Sequence, residues 1–317
     1  MTIPAILRNA LCAVTILLTP PGGVLAQSAP ATPAIAAADD ADLQSAIAKA
    51  NAYTALMNRT LRAIQSWDRY ASWVDMKKGP TGKERYISYG MYSLYDVAGE
   101  IRKAEEAAAK PPALPGIDDT IRRYIKAYQD LAPLITRAER YYKRNDYRDD
   151  NAAEGQRLHV AMVPAARTFL TERAALDAAM RVYKKSLDAR EMAAVERNEG
   201  RSARWQIRNI MINARAVMDL MPSNEKPIVD LKAFDAAIAD YAAAFREMDR
   251  FKETEPKGVP LIESQASSWL GKVRDFRDKL ARGKGDVRRG AANDANWLVS
   301  SYNTMVSLSA SAALMPR

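Results

Sequence analysis

The sequence predicts an all-α protein, an elongated antiparallel bundle of about seven to nine helices. Three observations predict it. From Asp39 onward, apolar residues return at steps of three and four, the spacing that lines one face of a helix. No stretch alternates apolar and polar residues as a half-buried strand does. The breaks Pro222-Ser223-Asn224, Glu255-Pro256-Lys257-Gly258 and Gly283-Lys284-Gly285 are short, as connections between antiparallel neighbours are. No repeat of fixed period is visible, so the expectation is one helical domain over residues 39–317 rather than a solenoid.

Each element has its own justification. Residues 40–75 carry an apolar stripe of Leu43, Ile47, Ala50, Met57, Leu61 and Ile64, with Tyr53, Leu56, Trp67 and Tyr70 beside it. Two adjacent stripes make a broad buried face. A tyrosine-rich second helix is expected over 83–109, stopped by Pro111-Pro112, since proline removes a donor and restricts the residue before it. The third begins at Asp118 or Asp119 and repeats Ile121, Ile125, Tyr128, Leu131, Ile135 and Tyr142; Pro133 is expected to kink or divide it. Over 149–198, Met162, Phe169, Leu176 and Tyr183 stand seven apart, the mark of a long helix packed nearly parallel to its neighbours. At about 1.5 Å per residue it would span on the order of 70 Å. Four more helices follow at 202–221, 230–252, 263–282 and 286–314, and the second of these places Leu231, Phe234, Ile238, Tyr241, Phe245 and Met248 in strict three-four alternation.

The amino terminus points outward from the cytoplasm. Arg8, the apolar run Ala10 to Leu18 and Val24-Leu25-Ala26 read as an export signal covering residues 1–26 and cleaved after Ala26. Residues 27–38 are Ala, Pro, Ser and Thr with few other residues, a composition with too little to bury to order itself, and are expected to form a flexible tether. Cys12, the one cysteine, lies inside the leader. Cleavage leaves a chain with neither disulfide nor thiolate chemistry, and with no lipid-anchor cysteine after the signal. No later apolar run is long enough for a transmembrane span. The expected location is the periplasm.

The chain carries 47 basic and 38 acidic side chains, a net charge of +9. That balance favours anionic polymers or headgroups as partners, with the charges mixed along the chain rather than blocked. Nucleic acid is not an expected partner, because no recognition motif appears.

The stretch Gly79-Pro80-Thr81-Gly82-Lys83-Glu84-Arg85 superficially suggests a phosphate loop. A Walker loop needs four residues between its glycines, Ser or Thr after the lysine, and a preceding strand; none of these is present. Gly79 and Pro80 instead end one helix, and Thr81 with Glu84 has the spacing of a capping box opening the next. Around this hinge Trp67, Trp73, Lys77, Lys83, Arg85, Tyr86 and Tyr89 crowd together. They form a candidate basic and aromatic ligand-binding surface, although aromatics at helix ends also serve as packing.

A second junction runs from Tyr141 to Asp150. Lys143 and Arg144 at the end of one helix, and Asp149 and Asp150 at the start of the next, match the two helix dipoles, with Asn145 or Asp146 expected as N-cap. An alternative use is a carboxylate-based metal site, or a metal-dependent hydrolase, built from Asp146, Asp149, Asp150, Glu154 and His159. The regular calcium loop is missing, and His159 is the single histidine, so zinc would depend on carboxylates. No nucleophile elbow or distinguished carboxylate pair marks a catalytic centre, and neither a catalytic residue nor a cofactor is expected.

Asn51-Ala52-Tyr53, Arg69-Tyr70-Ala71-Ser72-Trp73-Val74, the GPTGKER stretch with Tyr89-Gly90-Met91-Tyr92, and Tyr141-Tyr142 through Asp146-Tyr147-Arg148-Asp149-Asp150 to Leu158-His159 together carry a resemblance. The chain resembles the YiiG-like family of uncharacterised bacterial envelope proteins, described as lipoproteins, over roughly Leu43 to Leu314. The resemblance implies an all-helical envelope protein and no activity. The expected function is non-enzymatic binding or scaffolding in the periplasm, with the surface at the first junction offered to an envelope protein, a glycan or an anionic envelope component.

Overall fold

The computed structural model describes residues 33–222, 227–255 and 262–312. The expected leader and the first part of the tether lie outside the described residues. The α-helices are α1 (Pro33–Arg59), α2 (Leu61–Ala71), α3 (Ala98–Ala109), α4 (Ile117–Arg144), α5 (Ala153–Glu199), α6 (Ala203–Met218), α7 (Leu231–Thr254), α8 (Glu263–Arg282) and α9 (Ala292–Ala312). No strand occurs among the described residues; Ile228 and Asp286 form one isolated antiparallel bridge. The fold is all-α. Residues 33–38, expected in the tether, belong to α1.

The contacts divide the chain into two compact units. One comprises the residues up to Gln44 and from Ser186 to Arg317, the other Ser45–Lys185. In the first, α6, α7, α8 and α9 pack each against the next, and α9 also packs on α6, closing a ring. Its centre is Phe234, Tyr241, Met248, Trp269, Phe276 and Tyr302, all fully buried. Two polar atoms in that core are satisfied by main chain: the Trp269 indole donates to the Leu298 carbonyl at 3.0 Å and the Tyr241 hydroxyl to the Ala266 carbonyl at 3.0 Å. On the same unit Arg208 and Arg215 of α6 form buried ion pairs with Glu191 and Asp188 of α5.

The second unit gathers α2, α3, α4 and most of α1 and α5. The single helix expected over 40–75 is broken at Thr60, whose hydroxyl donates to the Leu56 carbonyl at 2.7 Å. Arg173 of α5, 3% exposed, fills the break: its Nη1 donates to the Met57 carbonyl at 2.6 Å and its Nε to Asp177 at 3.1 Å. Buried Lys49 and Tyr53 both bond Asp118, and Lys49 also donates to the Pro112 carbonyl at 2.8 Å. This fastens the turn before α4.

Neither internal proline divides its helix. Pro133 lies within α4 and Pro164 within α5. Both are exposed, and so are Gln129 and Val160, four residues earlier, so the carbonyls left without a donor face water. The helix expected over 83–109 is corrected more deeply. Residues 83–97 hold one short 3-10 turn, Ile87–Tyr89, and are otherwise irregular; α3 starts only at Ala98.

Candidate functional site

The physical reason for that irregular segment is also the site. Tyr86, Tyr89, Tyr92 and Tyr95 recur every third residue, short of the 3.6-residue turn that would stack them on a helix. Facing them are Arg59 of α1 and Arg62 and Arg69 of α2. Arg59 lies 4.5 Å from the Tyr95 ring, Arg62 4.0 Å from Tyr92 and 5.7 Å from Tyr95, and Arg69 4.3 Å from Tyr92 and 5.7 Å from Tyr89. Tyr89 stacks on Tyr86 at 5.1 Å, and Arg85 lies 5.1 Å from the Tyr86 ring. Rings and guanidinium groups therefore alternate along one edge of this unit.

The arginines also supply what a helix would have supplied. Arg69 Nε donates to the Tyr89 carbonyl at 2.6 Å, Arg62 Nε to Ser93 at 3.3 Å and Arg59 Nε to Asp96 at 3.4 Å. The Ser66 hydroxyl donates to the Tyr92 carbonyl at 3.0 Å. Main-chain groups without intrahelical partners need such acceptors and donors. Stacking over a ring uses the face of a guanidinium and leaves edge N–H groups for an acceptor in its plane.

The seven residues expected at this junction separate into three groups: on the ladder, on the turn beside it, and packed beneath. Arg85, Tyr86 and Tyr89 join the ladder, with Tyr86 42% and Tyr89 50% exposed. Lys77 and Lys83 are exposed on the adjoining turn. Trp73, expected as a surface residue, is buried: its indole donates to the Gly90 carbonyl at 2.9 Å, and its ring meets Tyr142 and Tyr70 edge-on. It anchors the segment from beneath, since a buried indole N–H usually finds an acceptor. Trp67 is half-buried and packs on Tyr70. Sequence reasoning missed Arg59, Arg62, Arg69, Tyr92 and Tyr95; the period-three tyrosines were the available signal.

The capping box at Thr81 forms only in part. Glu84 accepts from the Thr81 amide and hydroxyl, but Thr81 Oγ1 accepts from Lys83, not Glu84, and no α-helix follows. The turn is held from α5, where Gln156 donates to the Lys78 and Pro80 carbonyls. Two of the acidic groups nearby are used by turns, and Glu139 of α4 accepts from the Ser93 hydroxyl at 2.9 Å. Asp75 accepts from the Lys77 and Lys78 amides, which hold its carboxyl below the usual range, and Asp96 accepts from the Ala98 amide.

The acidic set at the second junction is not brought together. Asn145 is the left-handed C-cap of α4 rather than the N-cap of α5, because asparagine tolerates that conformation. Asp150 serves α5 instead, accepting from the Glu154 amide at 2.9 Å and the Tyr141 hydroxyl at 2.7 Å. Glu154 pairs with Arg137 and Arg157, Asp146 lies 3.9 Å from Arg144, and Asp149 is exposed. His159 is buried, with Nδ1 2.9 Å from the Tyr70 hydroxyl. Burial pushes its pKa below the ordinary imidazole value, against opposing contributions from the Met76 main chain and Asp75. Among the described residues no three potential ligands converge on a metal position.

A family model described as "Protein of unknown function (DUF3829)" matches residues 44–313. The chain belongs to the DUF3829 family. This DUF3829 chain is also 26% identical over 297 residues to "Uncharacterized protein YiiG" of Escherichia coli (strain K12), covering 89% of this chain and 82% of that protein. No solved structure matches it. The matched span contains the ladder and both junctions. No described helix of the DUF3829 chain is long and apolar enough to cross a membrane.

Proposed function

We propose that this protein is a non-enzymatic binding protein of the bacterial periplasm, exported by its leader, whose arginine–tyrosine ladder holds an acidic glycan. The observation that supports the reading is the ladder itself: Arg59, Arg62, Arg69 and Arg85 interleaved with half-exposed tyrosine rings. Flat aromatic faces suit sugar rings, while guanidinium edges suit carboxylate or phosphate groups on the same polymer. The positive balance of the whole chain, +9, adds long-range attraction for a polyanion.

Retention on immobilised polygalacturonate, with dextran as the neutral control, tests the reading. The wild type is expected to bind the acidic polymer at low salt, and Arg62→Ala with Arg69→Ala to weaken binding by about tenfold or more. Equal retention of wild type and the double variant, or retention on anionic phospholipid vesicles but not on the acidic polymer, would overturn it.

A further inference from the structure

A shallow groove on the other unit, between α6 and α7, is chemically unlike the ladder. Trp205, Asn209 and Asn213 stand at i, i+4 and i+8 along α6, and Ala243 and Ala244 face them from α7. Trp205 is 7% exposed and its indole N–H has no acceptor among the described residues. A buried donor left in that state is costly. Arg201 lies 4.8 Å over the same ring, held there by Glu196 and Glu247, each at 2.9 Å. The Asn213 amide donates to the Asn209 side chain at 3.0 Å and to the Asn209 carbonyl at 2.8 Å. That arrangement uses the donor side of Asn213 and the acceptor side of Asn209, leaving the Asn213 carbonyl and an Asn209 N–H without a bond described between them.

We propose that this groove binds an extended stretch of polypeptide through its main chain. Residues four apart on a helix are separated by about 6 Å along its axis. An extended chain presents equivalent amide groups every two residues, about 6.6 Å. The two asparagines thus match the repeat of an extended main chain, Asn209 offering a donor to one peptide unit and Asn213 an acceptor to the equivalent unit two residues on. The alanines opposite let a backbone approach closely. Charge along the groove is mixed, with Asp240 and Glu247 beside Arg201 and Arg250, so a neutral polar main chain suits it better than a polyanion. When a peptide carbonyl displaces Arg201, the Trp205 indole gains its acceptor.

An array of short random-sequence peptides, probed with the full chain, supplies binders whose affinity is then measured by fluorescence anisotropy. Asn209→Ala and Asn213→Ala are each expected to weaken binding about fivefold. Ala243→Leu, an exposed position whose enlargement fills the groove without entering the core, is expected to abolish it. N-methylation of the peptide at one parity of residue should be tolerated, and at the other should remove binding. Peptide capture equal to that of Ala243→Leu, or affinity indifferent to the parity of N-methylation, would overturn the proposal.

Discussion

Arg173 shows how one side chain sets local architecture. Buried to 3% exposure, it joins the Met57 carbonyl, the Tyr124 hydroxyl and Asp177 at the break between α1 and α2. Burial raises the Asp177 pKa, and the Arg173 charge works against that rise. Truncation would strand a half-buried carboxyl group and an unpaired carbonyl. Arg173→Ala is expected to lower the urea-unfolding free energy by about 3–5 kcal/mol, the range for breaking a buried pair from one side. His159 gives a pH-dependent expectation. Its imidazole pKa is lowered by burial in the fold, so between pH about 6.5 and the folded value the unfolded chain binds the extra proton. Stability contributed by neutral His159 is therefore present above pH about 6.5 and lost as pH falls through the folded value. Urea midpoints measured from pH 7 to 5 should fall for wild type more steeply than for His159→Gln.

Among the elements, α6 to α9 were the most legible, because their cores follow steps of three and four and their connections are short. The expected 230–252 and 263–282 became Leu231–Thr254 and Glu263–Arg282. The segment 83–97 was misread because its tyrosines are counted by periodicity but held by partners about 20 to 40 residues away in sequence, which no local pattern reveals. The turn preceding it was read correctly as a turn and wrongly as a helix start. Its Gly79 has φ +77°, and a Cβ there would lie 2.6 Å from Gln156 Oε1. Gly79→Ala is expected to destabilise by about 1–2 kcal/mol from the left-handed backbone alone, with a further steric part. Adding Gln156→Ala should relieve only the steric part, a non-additivity that a double-mutant thermal-melt cycle would detect.

At the scale of the molecule, fold class was readable because helical periodicity persists through most of the chain, whereas the division into two compact units was not. Covalent continuity of α1 and α5 through both units hides the division from any reading of breaks. Half of the first candidate site was likewise invisible: Arg59, Arg62 and Arg69 look like ordinary solvated charges until the facing tyrosines are placed. Net charge is a property of the whole chain, and it gives the proposed glycan binding a salt signature. Affinity for polygalacturonate should fall steadily from 0.05 to 0.5 M NaCl, as the Debye length shrinks from above about 10 Å to below 8 Å. Peptide binding at the α6–α7 groove should change far less over the same series.

The indole of Trp73 is clasped by the carbonyl of Gly90 and shielded by Tyr70 and Tyr142. It is therefore a native optical probe of the tyrosine segment. Should that segment peel away, this fluorophore would meet water, its emission would shift to longer wavelength, and acrylamide would quench it faster.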